Sequence, residues 1–170
     1  MAAETTFVLG GAKSGKSKFA ETLVLDSGLK PIYLATGRAF DDEMVERIET
    51  HQERRGDHWD TVEEPLALVD ALSHEAVPGR IILVDCLTLW ITNLMMANAN
   101  IEKEVSGLVK YLEQASVPIV LVSNEVGHGI VPENKMAREF IDLSGLAHQK
   151  IATVANRFYF VTAGVAQPLK

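Results

Sequence analysis

Short, uniformly apolar runs alternate along the chain with longer stretches in which apolar residues return every three or four positions. The runs fall at residues 6–9, 32–35, 81–84, 118–122 and 158–161, and each predicts a strand. Phe19, Ala20, Leu23 and Val24 follow the first run at helical spacing. A polar helix spans 41–54, with Met44, Ile48 and His51 sharing a face. Pro65 opens another helix carrying Leu66, Val69 and Leu72. Residues 86–99 are nearly uncharged but broken by Thr88, Thr92, Asn93 and Asn98. That stretch is too short and too polar to cross a bilayer and reads as a buried helix. Residues 101–114 are amphipathic along Ile101, Val105, Leu108 and Leu112; a loop over 124–133 and a helix over 134–155 complete the pattern. Strands apolar throughout are those covered on both faces by crossover helices. The expectation is therefore an α/β fold, a mostly parallel sheet with flanking helices in one domain over 1–170.

The turn after the first strand carries the sharpest chemistry. Gly10-Gly11-Ala12-Lys13-Ser14-Gly15-Lys16-Ser17 fits the G-x-x-x-x-G-K-[ST] phosphate loop, with a strand before it and a helix behind it. Glycines let successive N–H groups curl toward phosphate oxygens, and the helix N-terminus adds positive charge there. Lys16 is then placed for the β and γ phosphates and Ser17 for Mg²⁺. Asp85 ends the third apolar run, at the sheet edge where ligands bind; it reads either as an acidic partner for that metal or as a cap on the next helix. Together these residues predict Mg²⁺–nucleoside triphosphate binding.

Composition narrows the partners. Sixteen basic against 23 acidic side chains give a net charge of −7, which argues against general affinity for nucleic acid or anionic membrane. Cys86 is the single cysteine of the 170 residues, so no intrachain disulfide or zinc set is built from cysteine, and a reducing compartment is expected. The first residues lack a basic segment followed by an apolar one, and the expectation is a soluble, cytoplasmic protein without an integral membrane segment.

The histidines divide by context. The helix carrying Arg47, His51, Gln52, Glu53, Arg54 and Arg55 is crowded with charge; composition alone reads it as a solvated face laced with ion pairs. A neutral imidazole beside arginines is also a nucleophile facing cations that neutralise phosphate. His58 stands in a turn as an alternative, His74 closes a helix, His128 sits in a glycine-bearing loop, and His148 lies inside the long helix as a structural residue.

Several segments in one order resemble a known family. They are the phosphate loop, Ala35-Thr36-Gly37, the run Asp42-Glu-Met-x-x-Arg-Ile-x-x-His51, and Asn124-Glu-Val-Gly127 followed by Gly129-Ile-Val-Pro-Glu133. This set is similar to the bifunctional adenosylcobinamide kinase/adenosylcobinamide-phosphate guanylyltransferases of cobalamin biosynthesis, over nearly the whole chain. The resemblance implies a RecA-like P-loop fold and two reactions. ATP or GTP phosphorylates the aminopropanol hydroxyl of adenosylcobinamide; GMP is then passed from GTP through a histidine, which falls on His51, to give adenosylcobinamide-GDP. It also implies guanine-nucleotide contacts at Ala35, Thr36, Gly37, Gln52, Glu53, Arg54, Arg55, Glu63 and Asp85, and a homotrimer. Lys13 stands where relatives often have Arg, and Asp85 where some have Glu. Glu125 is the candidate base of the kinase step. The rival readings are a plain small-metabolite kinase, a GTP-binding switch and a RecA-like motor subunit. The switch lacks its guanine-reading motif at Ser123-Asn-Glu-Val126, and the motor finds no support in the net charge.

Overall fold

The computed structural model describes residues 1–37 and 42–170. Its elements are β1 (Thr5–Gly10), α1 (Lys16–Asp26), β2 (Lys30–Ala35), α2 (Asp42–Arg55), a 3₁₀ turn (Gly56–His58), β3 (Asp60–Glu63), α3 (Leu68–Glu75), β4 (Arg80–Asp85), α4 (Leu87–Met96), α5 (Ile101–Leu112), β5 (Ile119–Asn124), α6 (Lys135–Val154), β6 (Arg157–Thr162) and β7 (Val165–Pro168). The sheet order is β3-β2-β4-β5-β1-β6-β7. All neighbours are parallel except β6 and β7, which form an antiparallel hairpin.

The apolar runs become strands because the sheet is covered on both sides. Ile82 and Val84 join one buried cluster with α3–α6, while Ile81 and Leu83 join another with α1 and Trp59. α4 is apolar on nearly every side since it lies between β5 and the outer helices α5 and α6. Asn100 and Asn134 start α5 and α6 by accepting from the backbone N–H of Lys103 and Ala137, at 3.0 and 3.1 Å. No helix among the described residues is long and apolar enough to cross a membrane.

Two strands beyond the five expected appear, β3 and β7. Both are sheet edges, so neither carries a run of buried residues. The α3 helix starts at Leu68, slightly after Pro65, because the Glu64 carboxylate first accepts from the N–H groups of Leu66 and Ala67.

Connection handedness shapes the functional edge. From β1 to β2 and on to β3 the chain moves one way across the sheet; from β3 to β4, β5 and β6 it moves the other. Right-handed crossovers therefore place α1 and the end of α2 on one face and α3–α6 on the opposite face. A crevice opens at the strands' C-terminal ends wherever neighbouring strands send their connections to opposite faces. This order produces three such places, between β1 and β5, between β2 and β4, and between β2 and the edge strand β3; the first two carry most of the candidate residues.

His148 is structural, as expected. It is buried on α6, with Nε2 2.7 Å from the Ser123 hydroxyl and its ring tilted against Phe7. Burial pushes its pKa down to about 4, with the Glu125 carboxylate opposing. The folded state thus binds a proton less readily than the unfolded chain. The contribution is complete above about pH 6.5 and is lost as pH falls toward 4. Urea unfolding at pH 7 and 4.5 is expected to show His148→Gln losing about 2 kcal/mol less than wild type on acidification. Equal losses would mean that His148 titrates normally.

Candidate active site

The first crevice holds the phosphate loop in a shape ready for an anion. Lys13 and Gly15 take positive φ values of 53° and 94°, which turn the backbone back on itself. A Cβ on Gly10 would meet the Ser14 hydroxyl and the Val161 carbonyl at 2.6 Å each, so only glycine fits there. Backbone bonds fix the cradle from three sides. Ser14 N–H donates to Gly11 O at 3.3 Å, Glu125 N–H to Gly10 O at 2.9 Å, and Gly164 N–H to Ser14 O at 2.7 Å. The last bond comes from the β6–β7 turn, where Ala163 and Gly164 both have positive φ, as a two-residue hairpin requires. Lys16 is buried, its ammonium donating to Gly11 O at 3.2 Å, and the Ser14 hydroxyl is buried with no partner among the described residues. Such a loop, holding a cation and an unused hydroxyl, is chemically complementary to phosphate oxygens.

The second crevice lies two strands away, between Ala35 and its register partner Asp85. Tyr33, buried in β2, donates its hydroxyl to Asp85 Oδ2 at 2.9 Å. Burial raises the tyrosine pKa far above the usual range, with the Asp85 charge adding to it and Arg55 opposing, so the hydroxyl remains a donor. Arg55, at the end of α2, lays its guanidinium over the Tyr33 ring, 3.3 Å from the centroid, and Trp59 packs edge-on against the same ring. Arg55 Nε and Nη1 are buried without a hydrogen-bond partner among the described residues. Two buried donors left over on a guanidinium favour an anionic ligand at this end of α2.

Thr36 turns out to be a strut. It is fully buried, its hydroxyl donating to Cys86 O at 2.6 Å and accepting from Cys86 N–H at 3.0 Å. Asn93 on α4 bridges the Thr36 carbonyl at 2.7 Å and the Pro65 carbonyl at 3.0 Å. What this segment can offer a nucleotide is therefore the backbone around Ala35 and Gly37, with the exposed Glu63 beside Ala35 on the neighbouring strand. Cys86 is buried, and desolvation followed by the Asp85 charge pushes its thiol up to about 11, which makes it inert.

Between the crevices stand Asn124 and Glu125. Asn124 pairs in register with Gly10 and donates its side-chain amide to Thr88 Oγ1 at 2.9 Å. Glu125 Oε1 accepts from Gly127 N–H and lies 4.0 Å from His128 Nε2, so the candidate base is turned partly onto its own loop. Gln52 and Glu53 are exposed on α2. The side chains of His51 and Arg54 lie outside the described residues; their backbone belongs to α2. His58 ends the 3₁₀ turn and His74 lies in the last turn of α3.

Tyr33, Asn93 and Asn124 had no role in the sequence reading. Each carried a signal: Tyr33 puts a hydroxyl inside an otherwise aliphatic strand, Asn93 is a polar break in an apolar helix, and Asn124 is the first residue of a family motif.

The comparisons with known proteins agree with this arrangement. Fold similarity extends to the RadB recombinase, with a TM-score of 0.56 over 94% of this chain and 74% of that one at 18% identity, and the architecture is that of RecA-like P-loop ATPases. Among curated proteins, the bifunctional adenosylcobalamin biosynthesis protein CobP of Pseudomonas aeruginosa is 47% identical over 96% of this chain and 95% of its own length. CobU of Escherichia coli, also named a bifunctional adenosylcobalamin biosynthesis protein, is 36% identical over 96% and 98%. The family model described as cobinamide kinase/cobinamide phosphate guanyltransferase matches residues 6–169, which include the phosphate loop, Tyr33, Asp85 and the whole of α2. By that match and these identities, the chain belongs to the cobinamide kinase/cobinamide phosphate guanyltransferase family.

Proposed function

We propose that this chain phosphorylates adenosylcobinamide with ATP or GTP and then transfers GMP from GTP, through His51, onto the resulting phosphate. The observation that carries the reading is the pair of crevices at one sheet edge. One holds a complete phosphate loop, the other a carboxylate, a tyrosine and the end of the helix that bears His51. One chain thereby has room for a triphosphate and for a second set of nucleotide contacts.

In the kinase step the loop amides of Gly11–Ser17 and the Lys16 ammonium bind and orient the triphosphate, with Glu125 as candidate base for the acceptor hydroxyl. In the transfer step an imidazole nitrogen of His51 attacks the α-phosphorus. The N–P bond forms as the bond to the bridging oxygen breaks, and pyrophosphate leaves. The cobinamide phosphate oxygen then attacks the same phosphorus, the N–P bond breaks, and the histidine is free again. Ala35, Thr36, Gly37, Gln52, Glu53, Arg54, Arg55, Glu63 and Asp85 are assigned to the guanine nucleotide, Thr36 through its backbone. The Ser17 hydroxyl and the Asp85 carboxylate are hard donors of the kind Mg²⁺ takes while keeping water and phosphate oxygens as its other ligands. Bound there, the ion would neutralise charge on the phosphates. A cytoplasmic homotrimer belongs to the same reading.

The test is product analysis. Purified protein incubated with adenosylcobinamide, ATP, GTP and Mg²⁺ is expected to yield first the phosphate and then the GDP adduct, separated and identified by mass spectrometry. Phosphate alone would reduce the protein to a kinase, and neither product would overturn the reading.

A further inference from the structure

The loop between β5 and α6 is rooted on the phosphate loop and presents exposed apolar side chains. Ile130 is 97% exposed and Val131 74%. Apart from the terminal Met1, no other large apolar side chain among the described residues is exposed so far. Water contact of this extent is disfavoured unless something covers the side chains in use.

The loop is held in place at both ends. At its root, Glu125 N–H bonds to Gly10 of the phosphate loop at 2.9 Å, and Glu125 Oε1 accepts from Gly127 N–H. At its far end Arg138 donates to the carbonyls of Pro132, at 2.9 Å, and Glu133. In the middle, the His128 ring lies 6.0 Å from that of Phe160 on β6. Ile130 is five residues from the tether to Gly10, so its backbone lies within about 18 Å of that contact even if the chain is fully extended.

Charge selects the occupant. Residues 126–132 contain no Asp, Glu, Lys or Arg in a chain that is 23% charged, and carboxylates flank the stretch at Glu125 and Glu133. Such a surface repels triphosphate and suits a broad, neutral, methyl-bearing ligand. A second copy of the chain would need roughly 800 Å² per partner, of which these two side chains are a small part, and sedimentation velocity separates that occupant from a small ligand. Cobinamide has the matching chemistry: a macrocycle with apolar faces that reaches the phosphoryl group only through the end of a side arm.

We propose that Ile130 and Val131 form the platform on which the corrin ring of the acceptor rests while its side-arm hydroxyl reaches the phosphate loop. This inference rests on the function proposed above and names the acceptor half of its site. Both side chains are solvent-facing, so their loss leaves the fold intact.

The test is steady-state kinetics on the full chain carrying Ile130→Ser and Val131→Ser together. The KM for adenosylcobinamide is expected to rise about tenfold, the effect of losing one to two buried methylenes' worth of contact. The KM for ATP and the labelling of the protein by α-labelled GTP, which need no acceptor, are expected to stay unchanged. Leu25→Ser, removing an exposed apolar side chain at the far end of α1, should leave all three unchanged. An unaltered acceptor KM in the double variant overturns the platform alone. A fall in molecular mass by sedimentation velocity also overturns it, because the loop is then a subunit contact. Failure of the wild-type chain to phosphorylate cobinamide overturns the proposed function and the platform together.

Discussion

Lys16→Ala is expected to slow both phosphorylation of cobinamide and formation of the guanylylated protein by roughly a thousandfold, the scale set by removing one preorganised charge-stabilising donor. Both steps shift negative charge onto phosphate oxygens held by the same loop, so one cation serves two reactions. The fold gives no reason for the variant to collapse. The bonds that shape the cradle, from Ser14, Glu125 and Gly164, are all backbone to backbone and none involves the lysine side chain. The side-chain bond Lys16 makes among the described residues, to the Gly11 carbonyl, is replaceable by water once the ammonium is gone. Lys16→Arg keeps the charge but brings a planar fork into a space shaped around a compact ammonium, and should recover only part of the rate. The measurement is single-turnover product formation alongside a thermal melt. A Lys16→Ala protein within tenfold of wild type in both steps would sink the shared-cation argument.

How much of this was legible beforehand depended on whether a feature was local. β4 announced itself because both faces of Ile81–Val84 are buried, which forces an uninterrupted apolar run. The phosphate loop was legible for a similar reason, since the φ values at Lys13 and Gly15 and the contact of Gly10 with Ser14 are local, although Val161, which also crowds Gly10, is far away in the chain. β3 gave no such signal: Asp60-Thr-Val-Glu63 lies on the sheet edge, where only Val62 is partly covered. β7 ends in Pro168, which an edge strand tolerates and a central one does not. The second crevice was the least legible part. Tyr33 and Asp85 are 52 residues apart and meet only because β2 pairs with β4, and pattern alone does not reveal strand order. The same applies to Thr36: the family resemblance implied a nucleotide contact there, while its hydroxyl is occupied by Cys86, 50 residues away.

His51→Ala is expected to abolish covalent labelling by α-labelled GTP, and with it cobinamide-GDP formation, while phosphorylation of cobinamide stays within about tenfold of wild type. The asymmetry follows from the chemistry, because γ-phosphoryl transfer needs no covalent intermediate and GMP transfer through an imidazole does. The fold supports keeping the two apart. His51 lies on α2, one helical turn before Arg55, and Arg55 anchors on Tyr33 at the β2–β4 crevice. The phosphate loop is built from β1, β5 and the β6–β7 turn instead, and among the described residues no bond that shapes it comes from α2. The linkage itself is diagnostic. A phosphoramidate is split by acid and survives alkali, whereas an ester to serine or an acyl phosphate behaves otherwise, so gel bands treated both ways identify the nucleophile. The attacking nitrogen must be unprotonated, so labelling should weaken as pH falls below the ordinary histidine value of about 6.5. Label persisting in His51→Ala would move the nucleophile elsewhere, with His58 the first alternative. Loss of both activities in a folded His51→Ala protein would mean that α2 completes the kinase site as well, and the two crevices would have to be read as one.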